Sequence, residues 1–149
     1  MGDDAREIEN LIVEYAELID AGDFEGVGTL LGDASFGGAN QGSVRGADAI
    51  ASLFGSTVRR YEDGTPRTKH VTTNVHVEVE ENGRLARARS YVTVFQALPD
   101  FPLQPIVAGR YRDRFECVDG AWRFVERLFV TDLVGDVSRH LRAGPEILR

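Results

Sequence analysis

The sequence predicts an α+β fold: a cone-like barrel in which three N-terminal helices pack in a curved, mostly antiparallel sheet. Two observations carry that prediction. Apolar residues recur at helical spacing up to about Tyr61, then alternate with polar ones from Arg67 to about Leu133. Helices follow helices and strands follow strands, with Asn-Gly and Asp-Gly turns between the strands, which is the order of an α+β chain and not of a βαβ chain. Long twisted strands wrapped round helices form a mouth, and such mouths hold small molecules.

The first helix is expected over about residues 4–21, where Ile8, Leu11, Ile12, Tyr15 and Ile19 make one buried stripe. Asp3, Asp4 and Glu7 suit the positive end of its dipole, and Gly22 is a C-terminal stop. Asp23 reads as the N-cap of a second helix to about Leu31, with Phe24, Val27, Leu30 and Leu31 inward. The glycine-rich stretch 32–46 reads as short strands and turns around Phe36 and Val44, and a third helix runs from Ala47 to about Tyr61. Residues 62–66 form a loop. A long strand follows Arg67, and the Asn82-Gly83 turn returns it as residues 84–97. The Pro99–Pro105 stretch is expected to interrupt the ladder before a third strand over residues 106–118. Asp119-Gly120 turns the chain into a fourth strand to about Leu133, and residues 135–149 form a polar, arginine-rich tail, a short helix or partly disordered.

A chain of 149 residues is expected to form a single domain, with a core over about residues 5–134. Its net charge of −7 opposes a polyanionic partner, so neither nucleic acid nor an anionic membrane surface is expected. No stretch approaches the length of an apolar membrane span. The single cysteine, Cys117, cannot form an internal disulfide, and the N-terminus lacks the pattern of a signal peptide; both point to the cytoplasm. Three histidines without metal-ligand spacing, no nucleophile elbow and no phosphate loop argue against a metal site, nucleophilic catalysis and nucleotide binding, and no cofactor is expected.

His70 is the leading chemical candidate, because an imidazole titrates near neutral pH. Strict alternation places it with Thr72, Asn74 and His76 on one face and Val71, Val75, Val77 and Val79 on the other. If His70 faces a cavity, then either a second subunit covers the valines or a bulge near Thr72-Thr73 resets the parity. The plainer alternative is a strand histidine satisfied by a backbone carbonyl. Asp20 is either an ordinary helix-end residue or a carboxylate that needs a cation nearby, because it stands at the negative end of a helix dipole. Arg110, Arg112 and Arg114 form a basic face that is solvated or paired with Asp113, Glu116 and Glu126.

Four motifs in this order resemble the nuclear transport factor 2-like superfamily and, within it, the SnoaL-like family. They are Leu18-Ile19-Asp20-Ala21-Gly22-Asp23-Phe24, Gly46-Ala47-Asp48-Ala49-Ile50, His70-Val71-Thr72-Thr73-Asn74, and a closing hairpin from Gly109-Arg110-Tyr111 through Asp119-Gly120-Ala121-Trp122. The resemblance spans Ile8 to about Leu133. It implies a fold that hosts dehydratases, isomerases, cyclases, dioxygenase β-subunits and plain binding modules. In its scytalone dehydratase and bile-acid dehydratase types a histidine removes a proton from carbon while an aspartate orients it. Carried over, His70 is the base and Asp20 its partner. The second histidine of scytalone dehydratase has no counterpart in residues 84–97, which leaves Tyr91, Tyr111 or Asn74 to meet a leaving group or oxyanion. On such a cone Tyr15, Ile19, Phe24, Phe36, Phe54, Asn74, Phe95 and Phe129 are expected to line the ligand site. The expected activity is that of a lyase or isomerase on a small, largely apolar oxygenated molecule, in a homodimer formed through the sheet. A non-catalytic binding module and a structural subunit are the alternatives.

Overall fold

The computed structural model describes residues 3–148. Helix α1 (Asp3–Asp20) buries Ile8, Ile12, Tyr15, Ala16 and Ile19, the stripe its spacing requires. Its end is closed by Gly22 N–H donating to Ile19 O and Asp23 N–H to Leu18 O, both at 2.9 Å. Gly22 has a φ of +75°, and a Cβ there would stand 2.0 Å from the carbonyl oxygen of Gly64, so only glycine lets the chain turn at this point. Asp23 then caps α2 (Phe24–Leu31), accepting from Gly26 N–H at 2.9 Å. Two short strands follow, β1 (Ser35–Gly38) and β2 (Ser43–Arg45), and then α3 (Ala47–Thr57). This third helix stops at Thr57, short of Tyr61, because Val58 is extended and forms a β-bridge with Leu141.

The sheet is completed by β3 (Thr68–Val79), β4 (Leu85–Leu98), β5 (Phe101–Val118) and β6 (Ala121–Val134). Its order is β2-β1-β6-β5-β4-β3, antiparallel throughout except where β1 runs parallel to β6. The core lies between its inner face and the helices. The proline stretch does not interrupt the sheet as expected. Strand β5 begins at Phe101 and carries Pro102 and Pro105, since its pairing with β6 begins only at Val107 and the register to β4 is irregular there. Before that point β5 is an edge strand, where a missing N–H is tolerated.

Strand β3 changes face partway. Its register against β4 shifts between Thr73 and His76, and Asn74 in between has a φ of +54°. A bulge at this point turns Thr68, His70 and Thr72 inward ahead of it, and Val77 and Val79 inward after it. Of the two ways to reconcile His70 with the valines, the chain uses the bulge.

The segment after β6 is packed, not loose. Val137, His140 and Leu141 are buried. Arg59 N–H donates to His140 O at 2.8 Å and Arg142 N–H to Thr57 O at 2.9 Å, so the tail lies against the end of α3 through the Val58–Leu141 bridge. Arg139 clamps Asp100 with two hydrogen bonds of 3.0 and 2.8 Å, and its carbonyl accepts from Gln96 Nε2 and the Tyr61 hydroxyl. A 3-10 turn over Pro145–Leu148 follows.

Candidate active site

Asp20 ends α1 directly above the start of β3, and that strand supplies every hydrogen bond recorded for its carboxylate. Oδ2 accepts from the His70 backbone N–H at 2.8 Å, and Oδ1 accepts from Thr68 Oγ1 at 2.9 Å. Nδ1 of His70 lies 2.7 Å from Oδ1. Both side chains are nearly enclosed, 8% exposed for His70 and 11% for Asp20. Burial alone would raise the Asp20 carboxyl, but the His70 ring, its charge, its amide and Thr68 together hold it below the ordinary carboxylate value. An ionised Asp20 accepts a hydrogen bond from Nδ1–H of His70, which fixes the ring and leaves Nε2 as the nitrogen whose lone pair is available in the neutral imidazole.

His70 stands on the wall of a cavity of about 390 Å³. Tyr15, Phe36, Phe54, Tyr111 and Phe129 give it an aromatic lining, to which Ile19, Val94, Val107 and Leu141 add aliphatic surface. The end of β1 and the turn into β2, residues 37–42, also line it, as do Ile147 and Leu148 of the tail. Among the described residues lining it there is no aspartate, glutamate, lysine or arginine.

Beneath the floor lies a charge pair that the sequence reading did not find. Arg127 is fully buried, with its guanidinium carbon 3.5 Å from the Tyr111 ring centroid and 4.1 Å from that of Tyr15. Its Nε is 3.1 Å from Oδ1 of Asp113, which is also fully buried. Burial pushes the Asp113 carboxyl up to about 6 despite the neighbouring guanidinium. Burial also raises both phenols, so Tyr15 and Tyr111 keep their O–H protons at neutral pH and can serve as donors. The signal for this pair was the register: Asp113 and Arg127 stand directly opposite on β5 and β6. Arg110 and Arg114 point the other way and pair with Asp132 and Glu126.

Of the residues expected at the site, Asp20, His70, Tyr15, Ile19, Phe36, Phe54, Tyr111 and Phe129 come together. Four others lie elsewhere. Tyr91 is 54% exposed on the outer face. Asn74 forms the bulge and is exposed, its left-handed backbone setting the parity of β3. On β4 the inward side chains are Val92, Val94 and Gln96, which puts Phe95 on the opposite face. Phe24 is buried but packs on Phe54 and under Arg60, outside the cavity lining. Several lining residues were missed, among them Val94, Val107, Leu141 and the one further titratable imidazole among the described lining residues, His140, placed there by the tail. Lone histidines carry little signal, and nothing in the tail's sequence showed that it would fold back.

No three His, Cys, Asp or Glu side chains among the described residues are grouped to hold a metal ion, and no described helix is long and apolar enough to cross a membrane. A family profile described as SnoaL-like domain matches residues 3–128. Among solved structures, the chain is similar to an NTF2-like protein with a cystatin-like fold from Novosphingobium aromaticivorans, at 26% identity over 85% of this chain and 80% of that one, TM-score 0.70. It is also similar to Rv3472 of Mycobacterium tuberculosis, a protein of unknown function solved as an aspartate-to-asparagine variant, at 27% identity over 87% and 72%, TM-score 0.70. A third likeness, of fold, is to a protein of N. aromaticivorans provisionally assigned as a scytalone dehydratase, at 24% identity over 91% of both chains, TM-score 0.70. No curated protein matches significantly.

Proposed function

The chain belongs to the SnoaL-like family, and from that premise we propose that it is a lyase or isomerase, dehydratase- or cyclase-like, that removes a proton from carbon in a small, uncharged, largely apolar oxygenated molecule. The observation that carries this reading is the 2.7 Å pair of Asp20 and His70, with His70 on the wall of a mostly apolar hollow. His70 Nε2 takes the proton, and Asp20 keeps the ring in the required tautomer and stabilises the imidazolium that forms. The electron pair left on carbon moves to an adjacent carbonyl oxygen, where a protonated phenol such as Tyr111 can donate a hydrogen bond. The lining favours a substrate without carboxylate or phosphate, since no lysine or arginine among the described residues faces the hollow to offset such a charge.

The chemistry supplies its own assay. Small cyclic and aromatic ketones incubated in deuterium oxide should exchange their α-protons faster with the protein than without it, followed by proton NMR. His70→Ala and Asp20→Asn should each slow that exchange by roughly 10²–10⁴ while circular dichroism stays unchanged. Full exchange in either variant ends the proposal. Tight retention of a ketone without exchange, unaltered by Asp20→Asn, would instead identify a binding module.

The same reading includes a homodimer through the outer face of the sheet. Paired positions Val71, Thr93, Ala108 and Leu133 make a row across β3 to β6 on that face, with Val71 and Leu133 exposed. Leu133→Glu should shift the sedimentation coefficient to that of a monomer.

A further inference from the structure

We propose that His140 is the second working group of the hollow, a neutral imidazole whose Nε2–H donates a hydrogen bond to an oxygen of the bound molecule and stabilises negative charge developing there. The inference rests on His70 as the base and adds a second donor beside the Tyr111 phenol.

Position is the first argument. His140 lines the same cavity as His70 yet comes from a different segment of the chain, close enough for His70 and Asp20 to act on it, so two imidazoles serve one hollow. Its backbone is fixed on both sides: its N–H donates to Val137 O at 3.0 Å, and its carbonyl accepts from Arg59 N–H at 2.8 Å. A ring on so constrained a backbone is a placed group rather than a loose one.

Hydrogen bonding is the second argument. The residue is only 7% exposed, and its Nδ1 is sealed from solvent without a hydrogen-bond partner among the described residues. A buried lone pair without a partner is more readily tolerated than a buried N–H without one, so the proton belongs on Nε2. Nε2 is the ring nitrogen left to serve a ligand.

Charge is the third. The titratable groups facing His140 are His70, which opposes its protonation, and Asp20, which favours it. Asp20 spends its hydrogen bonds on His70 and Thr68, and burial pushes His140 down to about 4. The ring is therefore a neutral donor at working pH, able to hold an oxyanion without giving up its proton. In the proposed step the carbon proton moves to His70 Nε2, the electron pair moves to the carbonyl oxygen, and His140 keeps its proton while donating to that oxygen.

The probe is 4-nitrophenol, whose anion absorbs visible light and mimics an oxyanion. The full chain, labelled with ¹⁵N-histidine, is titrated and followed by absorbance and by ¹⁵N NMR. The expected result is uptake of the phenolate, a shift of the His140 Nε2–H signal, and weaker binding in His140→Phe by about tenfold, the worth of one hydrogen bond to a charged acceptor. His140→Gln, which keeps a donor, should recover part of that loss. If the probe shifts His70 alone, or His140→Phe binds within about twofold of the parent, the inference fails while the reading of His70 stands. Absence of binding overturns the inference, and the exchange assay then decides separately whether His70 is a base.

Discussion

Replacing Asp113 by asparagine removes one of two buried groups whose protonation acts on stability in opposite senses across one pH interval. The carboxyl of Asp113 rises from 3.8 to about 6 on folding, so the native state holds its proton more tightly than the unfolded chain. Its contribution is complete below about pH 4 and is lost as pH rises through about 6. His140 falls from 6.5 to about 4, so its contribution is complete above about 6.5 and is lost as pH falls towards 4. Each shift is roughly two pH units at about 1.4 kcal/mol per unit, which is on the order of 3 kcal/mol for either group. The parent protein should therefore vary little between pH 4.5 and 6.5. Asp20, whose shift is downward from 3.8, acts below that range. In Asp113→Asn the His140 term stands alone and stability should climb with pH. In His140→Gln the slope should reverse. Urea unfolding followed by fluorescence of Trp122, the only tryptophan, gives both curves. Slopes of the same sign in the two variants, or two flat profiles, would refute the reasoning.

Three further outcomes are expected. Arg127→Met leaves Asp113 buried without a countercharge and should cost about 3–5 kcal/mol, whereas adding Asp113→Leu should recover most of that, both read by urea denaturation. Gly22→Ala should cost more than about 1 kcal/mol, because the added Cβ meets the Gly64 carbonyl and the backbone is left-handed; an unchanged midpoint would contradict the contact. Leu141→Ala, at a site 6% exposed, should cost about 2–5 kcal/mol and speed proteolytic cleavage within residues 135–148.

The helices and the order of strands were legible because each rests on local periodicity. The stripe Ile8, Ile12, Tyr15 and Ile19 is both the predicted and the observed face of α1, and Asp23 caps α2 as its sequence demands. Asp20 and His70, fifty positions apart, could be paired only through the family resemblance; periodicity says nothing about which helix end meets which strand. Parity was the weak point. Alternation cannot locate a bulge, so Asn74 was read as a ligand-facing side chain when its backbone is what matters, and Phe95 was placed on the wrong face of β4. His140 and Arg127 escaped for a different reason. Their surroundings come from long-range packing, and a polar side chain in an arginine-rich tail or on a strand looks solvated until the fold encloses it.

Leu141, Ile147, Leu148 and the second imidazole of the lining all come from the segment after β6. That part of the lining is fastened by the end of α3 and the Asp100 clamp. The segment can change its lining residues without disturbing the sheet, so grafting residues 135–148 onto a sister chain should carry ligand preference with it.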